Sequence, residues 1–303
     1  MGIRVLIAGW FSFEQMGASA GDLLARDLVS QWLANEQIDY TIAVDTPFTD
    51  GKHFRDLEPA DYTHVLFVCG PCGNGPPLTE LLDRFDRCEW LGLNLTMLQN
   101  LEEWNPFELL IERDSNRTTR PDMVFLTEPL RVPRIGLILV HPQKEYGERG
   151  RHKQVGDFIE SQLAQMDVAV LPIDTRLDHN AGGLNSSGQI ESMIASMDLT
   201  ITTRLHGTVL SIKNGVPPIV IDPIHGGAKV AAQCRAIGWE WFTHAEELGA
   251  DWLQDAIAYA LSDQAIPDVA ACRDAARRSL SEMQSVLLSH FKSSTTAEVK
   301  EAR

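Results

Sequence analysis

The feature that most constrains this chain is an alternation of short, β-branched apolar runs with segments whose apolar residues recur at helical spacing, and the alternation occurs twice. Runs at 3–8, 40–44, 64–69 and 108–111 have the composition of buried strands. Between the first two, Leu23, Leu24, Leu28, Val29, Trp32 and Leu33 keep a helical period, as do Leu78, Leu81, Leu82 and Phe85 after the third. Strands separated by helices are expected to pair in parallel, because a parallel pair needs a crossover between its members. A second series starts after Pro129 and Pro133, with strands expected at 134–140, 168–171, 199–202 and 218–222. Its helices are marked by Val155, Phe158, Ile159, Leu163 and Met166 and by Ile190, Met193, Ile194 and Met197. From Trp252 the chain reads as mainly helical, with a tail beyond Phe291 expected to fray.

A length of 303 residues suits two such units. The expectation is an α/β protein of two Rossmann-like domains, residues 1–130 and 131–303, hinged at 128–133. Two open parallel sheets joined this way are expected to face a cleft at the carboxyl ends of their strands, where ligands of such sheets bind.

Charge narrows the partners. With 26 Lys and Arg against 42 Asp and Glu, the net charge is −16, which repels nucleic-acid phosphates and anionic lipid at long range. No nucleic-acid partner is expected, and an anionic substrate needs a local basic pocket. No run reaches the roughly 18 apolar residues of a membrane span. The first residues enter a strand directly, without the basic and long apolar segments of a signal peptide. Five cysteines, an odd number in a chain this long, do not form a secreted disulfide framework. A cytoplasmic protein without a transmembrane segment is expected.

The most informative motif runs from Asp198 to Thr208 and contains Arg204, His206 and Gly207. A strand ending at Thr202 and Thr203 delivers Arg204 and His206 to the sheet edge, just where a helix expected over 208–214, stopped by Gly215, exposes its free amides. Guanidinium, amides and helix dipole then converge on an anion site with a titratable imidazole beside it. The same residues also fit a structural account, in which Arg204 pairs with a buried acid and His206 caps or fills the core.

The spacing Asp198-x5-Arg204-x-His206-Gly207, followed by an apolar strand at 217–221 and then Lys229, resembles the signature of the polysaccharide pyruvyl transferase family. Gly9-Trp10-Phe11-Ser12-Phe13-Glu14 and Gly21-Asp22 are similar to that family's opening glycine-rich loop, and Glu112-Arg113-Asp114-Ser115 with Pro121-Asp122 to its Arg-Asp-x-x-Ser stretch. The chain departs from the pattern in being shorter, in replacing a glycine run with residues 68–75, and in carrying extra residues before Gly21-Asp22. The resemblance implies a two-domain fold of the GT-B type and transfer of a pyruvyl group from phosphoenolpyruvate to a sugar or glycan diol, forming a ketal. Protonating the enol carbon makes an electrophile for the hydroxyl groups, and phosphate leaves, so the site needs an acid and cations.

On that basis His206 is the candidate acid, and Arg204 and Arg113 are candidate anion clamps. Thr203, Gly207 and Lys229 join them on the donor side, while Phe13, Glu14, Gly21, Asp22, Gly70 and Gly73 form the acceptor-side loops. No cofactor and no metal ligands are assigned. Each has a plainer alternative: Arg113 paired with Asp114, Lys229 a solvated helix residue, Asp22 a helix N-cap. Asp198 reads as structural. Two other functions stay open, a GT-B glycosyltransferase using a nucleotide sugar and a catalytically silent ligand-binding protein.

Cys69-Gly70-Pro71-Cys72 looks like a thioredoxin-type redox pair, but Val68 and Gly73 stand where an aromatic and a basic residue would be expected. Zinc is weaker still, since Cys88 stands alone. Residues 70–75 are expected instead to form a close-approach loop. Trp239, Trp241 and Phe242 are either sugar platforms or core, 179–188 a linker or an acceptor lid, and His225-Gly226-Gly227 a turn or a source of ligand-binding amides. His141-Pro142-Gln143-Lys144 either lines the cleft or is solvated, and the amphipathic stretch 269–291 packs on the domains or forms a homo-oligomer interface.

Overall fold

The two alternating series build two parallel sheets of five strands each. The computed structural model describes residues 2–141 and 144–291, so Pro142, Gln143 and the tail beyond Phe291 lie outside the described residues. One compact unit extends to Leu130 and a second starts at Arg131. In the first, β1 (Arg4–Ala8), β2 (Asp39–Ile42), β3 (His64–Cys72), β4 (Glu89–Met97) and β5 (Leu109–Ile111) lie in the order β2-β1-β3-β4-β5. In the second, β6 (Arg134–Ile138), β7 (Ala169–Pro172), β8 (Leu199–Thr202), β9 (Pro218–Asp222) and β10 (Phe242–His244) repeat that arrangement as β7-β6-β8-β9-β10. Every pairing in both sheets is parallel. The α/β class expected from the sequence is the one observed.

The strand order locates the ligand-binding position in each unit. Sheet growth reverses beside the first strand, between β1 and β3 and again between β6 and β8. At such a switch point the connections leave in opposite directions and open a crevice outside the strand ends.

Helices cover both faces. In the first unit Leu6, Ala8, Phe67 and Leu95 pack with Leu78 and Leu81 of α2 (Leu78–Arg84). Val5, Ile7 and Val68 pack on the other face against Ala25, Leu28 and Val29 of α1 (Ala20–Asn35). In the second unit Ile135, Leu137, Ile201 and Ile221 meet α3 (His152–Leu163) and α7 (Ala250–Ala260). The opposite face carries α4 (Ser187–Ala195), α5 (Leu205–Lys213), α6 (Lys229–Ile237) and α8 (Ala265–Ser279) through Ile194, Ile212, Val230 and Val269. Large apolar groups buried in this way contribute about 1.5–3 kcal/mol each.

Two strands depart from expectation. β4, unpredicted, pairs along most of β3, and β10 adds a short edge strand. β3 also runs on through Cys72, so Gly70 and Cys72 belong to a strand rather than to a loop. The strand survives its glycine because β3 and β4 kink together: Cys69 (φ 64°) lies at the same level as Asn94 (φ 57°), and Asn94 Nδ2 donates to Cys69 Sγ at 3.0 Å. The kink turns Cys69 onto the α1 face, whereas Cys72 packs on the opposite face among Leu6 and Phe67. A disulfide between them would have to cross the sheet, so the redox pattern is not realised. Burial raises both thiols, Cys72 to about 12.

A buried acid closes the first unit. Glu112, directly after β5, is 1% exposed and accepts from Arg117 Nε and Nη2 at 2.9 Å, from Arg120 Nη1 at 3.2 Å and from Ser115 Oγ at 3.1 Å. These donors, Arg117 foremost, pull its carboxyl down from 4.5 to about 2. A depressed folded value means the contribution is complete above pH 4.5 and is lost as pH falls towards 2. Glu112→Gln is expected to destabilise the first unit by about 2 kcal/mol at neutral pH, since both arginines lose their shared carboxylate. Urea titrations of the two proteins should converge in acid; equal midpoints at pH 7 would refute the assignment.

Candidate functional site

Each unit has a cavity at its switch point, and the two differ in size and charge. In the second unit, β6 gives way to Val140 and β8 to Thr203, whose Oγ1 accepts from Val140 N at 2.8 Å and ties the two strand ends together. Arg204 then caps α5: its backbone N–H donates to Thr202 Oγ1 at 3.0 Å. The helix begins at Leu205, three residues earlier than expected, so His206 and Gly207 occupy its first turn. Gly207 permits this, because a Cβ there would lie 2.1 Å from Thr202 Oγ1 and 3.0 Å from Ile138 Cγ2. Helix and strand therefore pack backbone to side chain, and Gly207 is buried beneath the site rather than lining it.

Val140, Thr203, Arg204, Leu205, His206 and Lys229 surround a recess of about 90 Å³. Against a share of about 30 Å³ per liquid water, that is room for a small anion or a few waters. Four of the predicted donor residues, Thr203, Arg204, His206 and Lys229, meet here. Lys229 is delivered by Asp222 at the end of β9, a fully buried carboxylate that accepts from Ile224 N at 3.1 Å, Ala228 N at 2.7 Å and Ala231 N at 2.9 Å. These bonds fix the start of α6, where the Lys229 Nζ sits 5.7 Å from the Tyr146 ring centre.

The buried acid that could have paired with Arg204 exists. Arg204 Nη1 donates to Asp174 Oδ1 at 3.0 Å, and Arg176 grips the same carboxylate through Nη2 at 2.8 Å and Nε at 3.1 Å. Burial alone would raise the Asp174 carboxyl; the Arg176 bonds and the Arg204 charge outweigh it and hold it well below its ordinary range. Two guanidinium groups and Lys229 against the carboxylates of Asp174 and Asp222 leave this end of the sheet positive by about one charge, and α5 adds the positive end of its dipole. Asp174 follows β7 in sequence, 30 residues from Arg204, and an acid just past a strand end was the signal that the sequence reading did not use. Asp198 is structural: it accepts from Arg134 N at 2.8 Å and Nη2 at 2.6 Å.

In the first unit the switch-point cavity is about 510 Å³, within the size range of small-molecule sites. Gly21, Asp22, Gly70 and Arg113 line it, together with Trp10, Met16, Ser19, Cys69 and Asp122. Asp22 is not the N-cap. Ser19 caps α1, and Asp22 completes the reciprocal box, its Oδ2 accepting from Ser19 N at 2.7 Å. Arg113 is committed to acids: Nη1 donates to Asp122 Oδ2 at 2.8 Å and Nε to Asp114 Oδ2 at 3.3 Å, with Nη2 on Thr96 Oγ1. Asp122, foremost, raises the Arg113 guanidinium.

Three predicted acceptor residues lie elsewhere. Phe13 is 4% exposed in the core, and with Glu14 it borders a separate recess of about 360 Å³ beside Asp45 and Arg55. Gly73 abuts Gln99 and Leu98, outside either switch-point cavity. Among the other sequence candidates, Trp239 is buried with Nε1 donating to Pro218 O, and Trp241 stacks on Tyr259 at 4.4 Å, so both are core. The amides of Gly226 and Gly227 are already taken, by Glu246 Oε1 and Ile224 O. Asn180 pins the 179–188 loop, donating to Asp174 O and Arg176 O and accepting from Gly182 N and Leu184 N.

Residues 108–225 match the family described as polysaccharide pyruvyl transferase, a span holding Arg113, Asp174, Arg204 and His206. That match supports a polysaccharide-modifying transferase. Comparison with curated protein sequences finds no match. Similar solved structures include the glycotransferase of kitacinnamycin (TM-score 0.34, 11% identity, 91% of this chain and 95% of that one) and the calicheamicin glycosyltransferase CalG4 (0.33, 12%, 94% and 98%). The UDP-GlcNAc 2-epimerase of Methanocaldococcus jannaschii is another (0.32, 10%, 88% and 94%). Likeness at this level bears on neither activity nor ligand. Among the described residues no helix is long and apolar enough to cross a membrane.

Proposed function

We propose that the chain is a cytoplasmic transferase that moves a pyruvyl group from phosphoenolpyruvate to a sugar or glycan acceptor. The observation that carries this reading is the recess where Arg204, Lys229 and the α5 amino terminus surround an exposed histidine, with Arg204 and His206 inside the span that matches the family and Lys229 four residues past its end. The donor's phosphate or carboxylate is held by Arg204, Lys229 and the first amides of α5, with Thr203 fixing the strand end. His206 gives its proton to the methylene carbon of the enol. The carbon that carries the phosphate ester becomes electrophilic, one acceptor hydroxyl adds to it, phosphate leaves, and a second hydroxyl closes the ketal. The hydroxyl protons that are lost restore the imidazolium and pass to solvent.

Arg113, the remaining donor candidate, lines the first-unit cavity instead of the recess, and its charge is already shared by Asp122 and Asp114. Gly21, Asp22 and Gly70 are assigned to the acceptor.

The test is calorimetric titration of phosphoenolpyruvate into wild type, Arg204→Ala and Arg113→Ala, with uridine diphosphate as competitor. Arg204→Ala is expected to weaken binding by about tenfold or more, the loss of one charged hydrogen bond. Arg113→Ala is expected to change it less. Binding of uridine diphosphate in preference to phosphoenolpyruvate would replace this reading with glycosyl transfer.

A further inference from the structure

We propose that the first-unit cavity is a pyranoside subsite in which the Trp10 indole is the stacking platform, and that it takes neutral or amino-bearing sugars in preference to acidic ones. The proposal rests on the acceptor reading above and names the chemistry of that acceptor.

Trp10 follows β1 by two residues and so stands at the switch point, on the wall of the 510 Å³ cavity. Its ring is fixed before any ligand arrives. Nε1 donates to Pro71 O at 2.9 Å, and the ring meets Phe13 edge-on at 5.8 Å and Phe67 at 6.5 Å. Gly70, in the left-handed region at φ +84°, leaves the space the indole fills, because a Cβ there would lie 2.2 Å from Trp10 Cδ1. The shared kink of β3 and β4 thus has a use: it presents a glycine under an aromatic ring at the mouth of the crevice. A rigid, partly buried aromatic surface loses little conformational freedom when it covers the apolar face of a sugar ring.

The polar lining is acidic. Asp22 spends Oδ2 on the capping box and has Oδ1 left to accept from a hydroxyl or ammonium group. Asp122 shares its charge with Arg113, which Asp114 also engages. One guanidinium against the two lining carboxylates leaves a net charge of about −1 here, and Asp114 behind the lining draws on the same guanidinium, so the sign is opposite to that of the second-unit recess. A carboxylated sugar would meet Asp22 and Asp122 with no free cation among the described lining residues to pair with, so its desolvation would go uncompensated.

Saturation-transfer NMR on the full chain tests this with three probes: methyl β-galactopyranoside, methyl β-glucosaminide and methyl β-glucuronide. The first two are expected to bind wild type, and the glucuronide about tenfold more weakly or not at all. Trp10→Leu is expected to lose about tenfold in galactoside affinity, and Trp10→Phe to keep most of it. Thermal midpoints check that the variants are folded. If Trp10→Leu does not fold, the Trp10→Phe affinity and the wild-type probe comparison decide. Wild-type galactoside binding that is absent at tens of millimolar, unchanged in folded Trp10→Leu, or weaker than glucuronide binding overturns the proposal. Phosphoenolpyruvate titration of wild type separates the two ideas. Glycoside binding without phosphoenolpyruvate binding removes the transferase reading and leaves a sugar site, and the reverse removes the sugar site alone.

Discussion

Replacing His206 with alanine is expected to lower pyruvyl transfer by roughly a hundred- to ten-thousand-fold, the usual worth of a general acid, while phosphoenolpyruvate affinity stays within a few-fold of wild type. The separation follows from where the side chain sits. His206 is exposed in the first turn of α5, and among the described residues no hydrogen bond or ion pair engages its imidazole. Its removal therefore costs the fold little, and the backbone amides that hold the anion remain. Arg204→Ala should do the opposite, because its guanidinium carries charge to the recess but no transferable proton at working pH. His206→Gln gives the decisive comparison, since it keeps a polar side chain of similar reach and removes the acid. Phosphate release in the presence of acceptor reports turnover, and calorimetry reports binding. Wild-type turnover in His206→Gln would remove the acid role, and a joint loss of binding in His206→Ala and Arg204→Ala would make His206 a binding residue instead.

The parts of the fold that were legible in the sequence are those in which one strand or helix carries its own signal. Val5 to Ala8 is apolar throughout, and Leu199 to Thr202 sets leucine and isoleucine among threonines with every position buried, because both faces of their sheets are covered, and such a run is visible without knowing the partner. β4 is different: Trp90, Asn94, Leu95 and Met97 are buried, but glycine, asparagine and threonine interrupt the run, and Asn94 is there for its backbone angle and its bonds to Cys69 and Met123. No local pattern announces a residue chosen for a partner 25 or 29 positions away. The start of α5 was misplaced for a related reason. Gly207 reads as a loop glycine, yet it is helical and small because Thr202 approaches it. Of the site itself, the motif placed Thr203, Arg204 and His206 together since they are close in sequence. The carboxylate that organises them, Asp174, and the indole that borders the other cavity, Trp10, show their positions only once the strand order is known.

Asp174→Ala is expected to destabilise the second unit by about 3 kcal/mol at neutral pH, because breaking a buried ion pair leaves the partner charges desolvated and unpaired. The wild-type carboxylate is 9% exposed; Arg204 at 18% and Arg176 at 31% can recover part of their hydration, which keeps the loss at the low end of the range for buried pairs. Asp174→Asn should cost less, since the amide oxygen still accepts one bond. The pH dependence has a definite sign. The folded carboxyl lies below its ordinary 3.8, so its contribution is whole above that value and fades as pH falls through the folded one. Wild type and Asp174→Asn should therefore differ at pH 7 and converge in strong acid, with Glu112 cancelling because both proteins carry it. Anions should act on the variant in a way that a purely structural pair would not allow. With the carboxylate gone, Arg204 and Arg176 gain a vacancy for phosphoenolpyruvate, and added ligand should raise the variant's urea midpoint by more than it raises that of wild type. A variant stabilised no more than wild type would separate the Asp174 cluster from the donor site and leave His206 and Lys229 to define it.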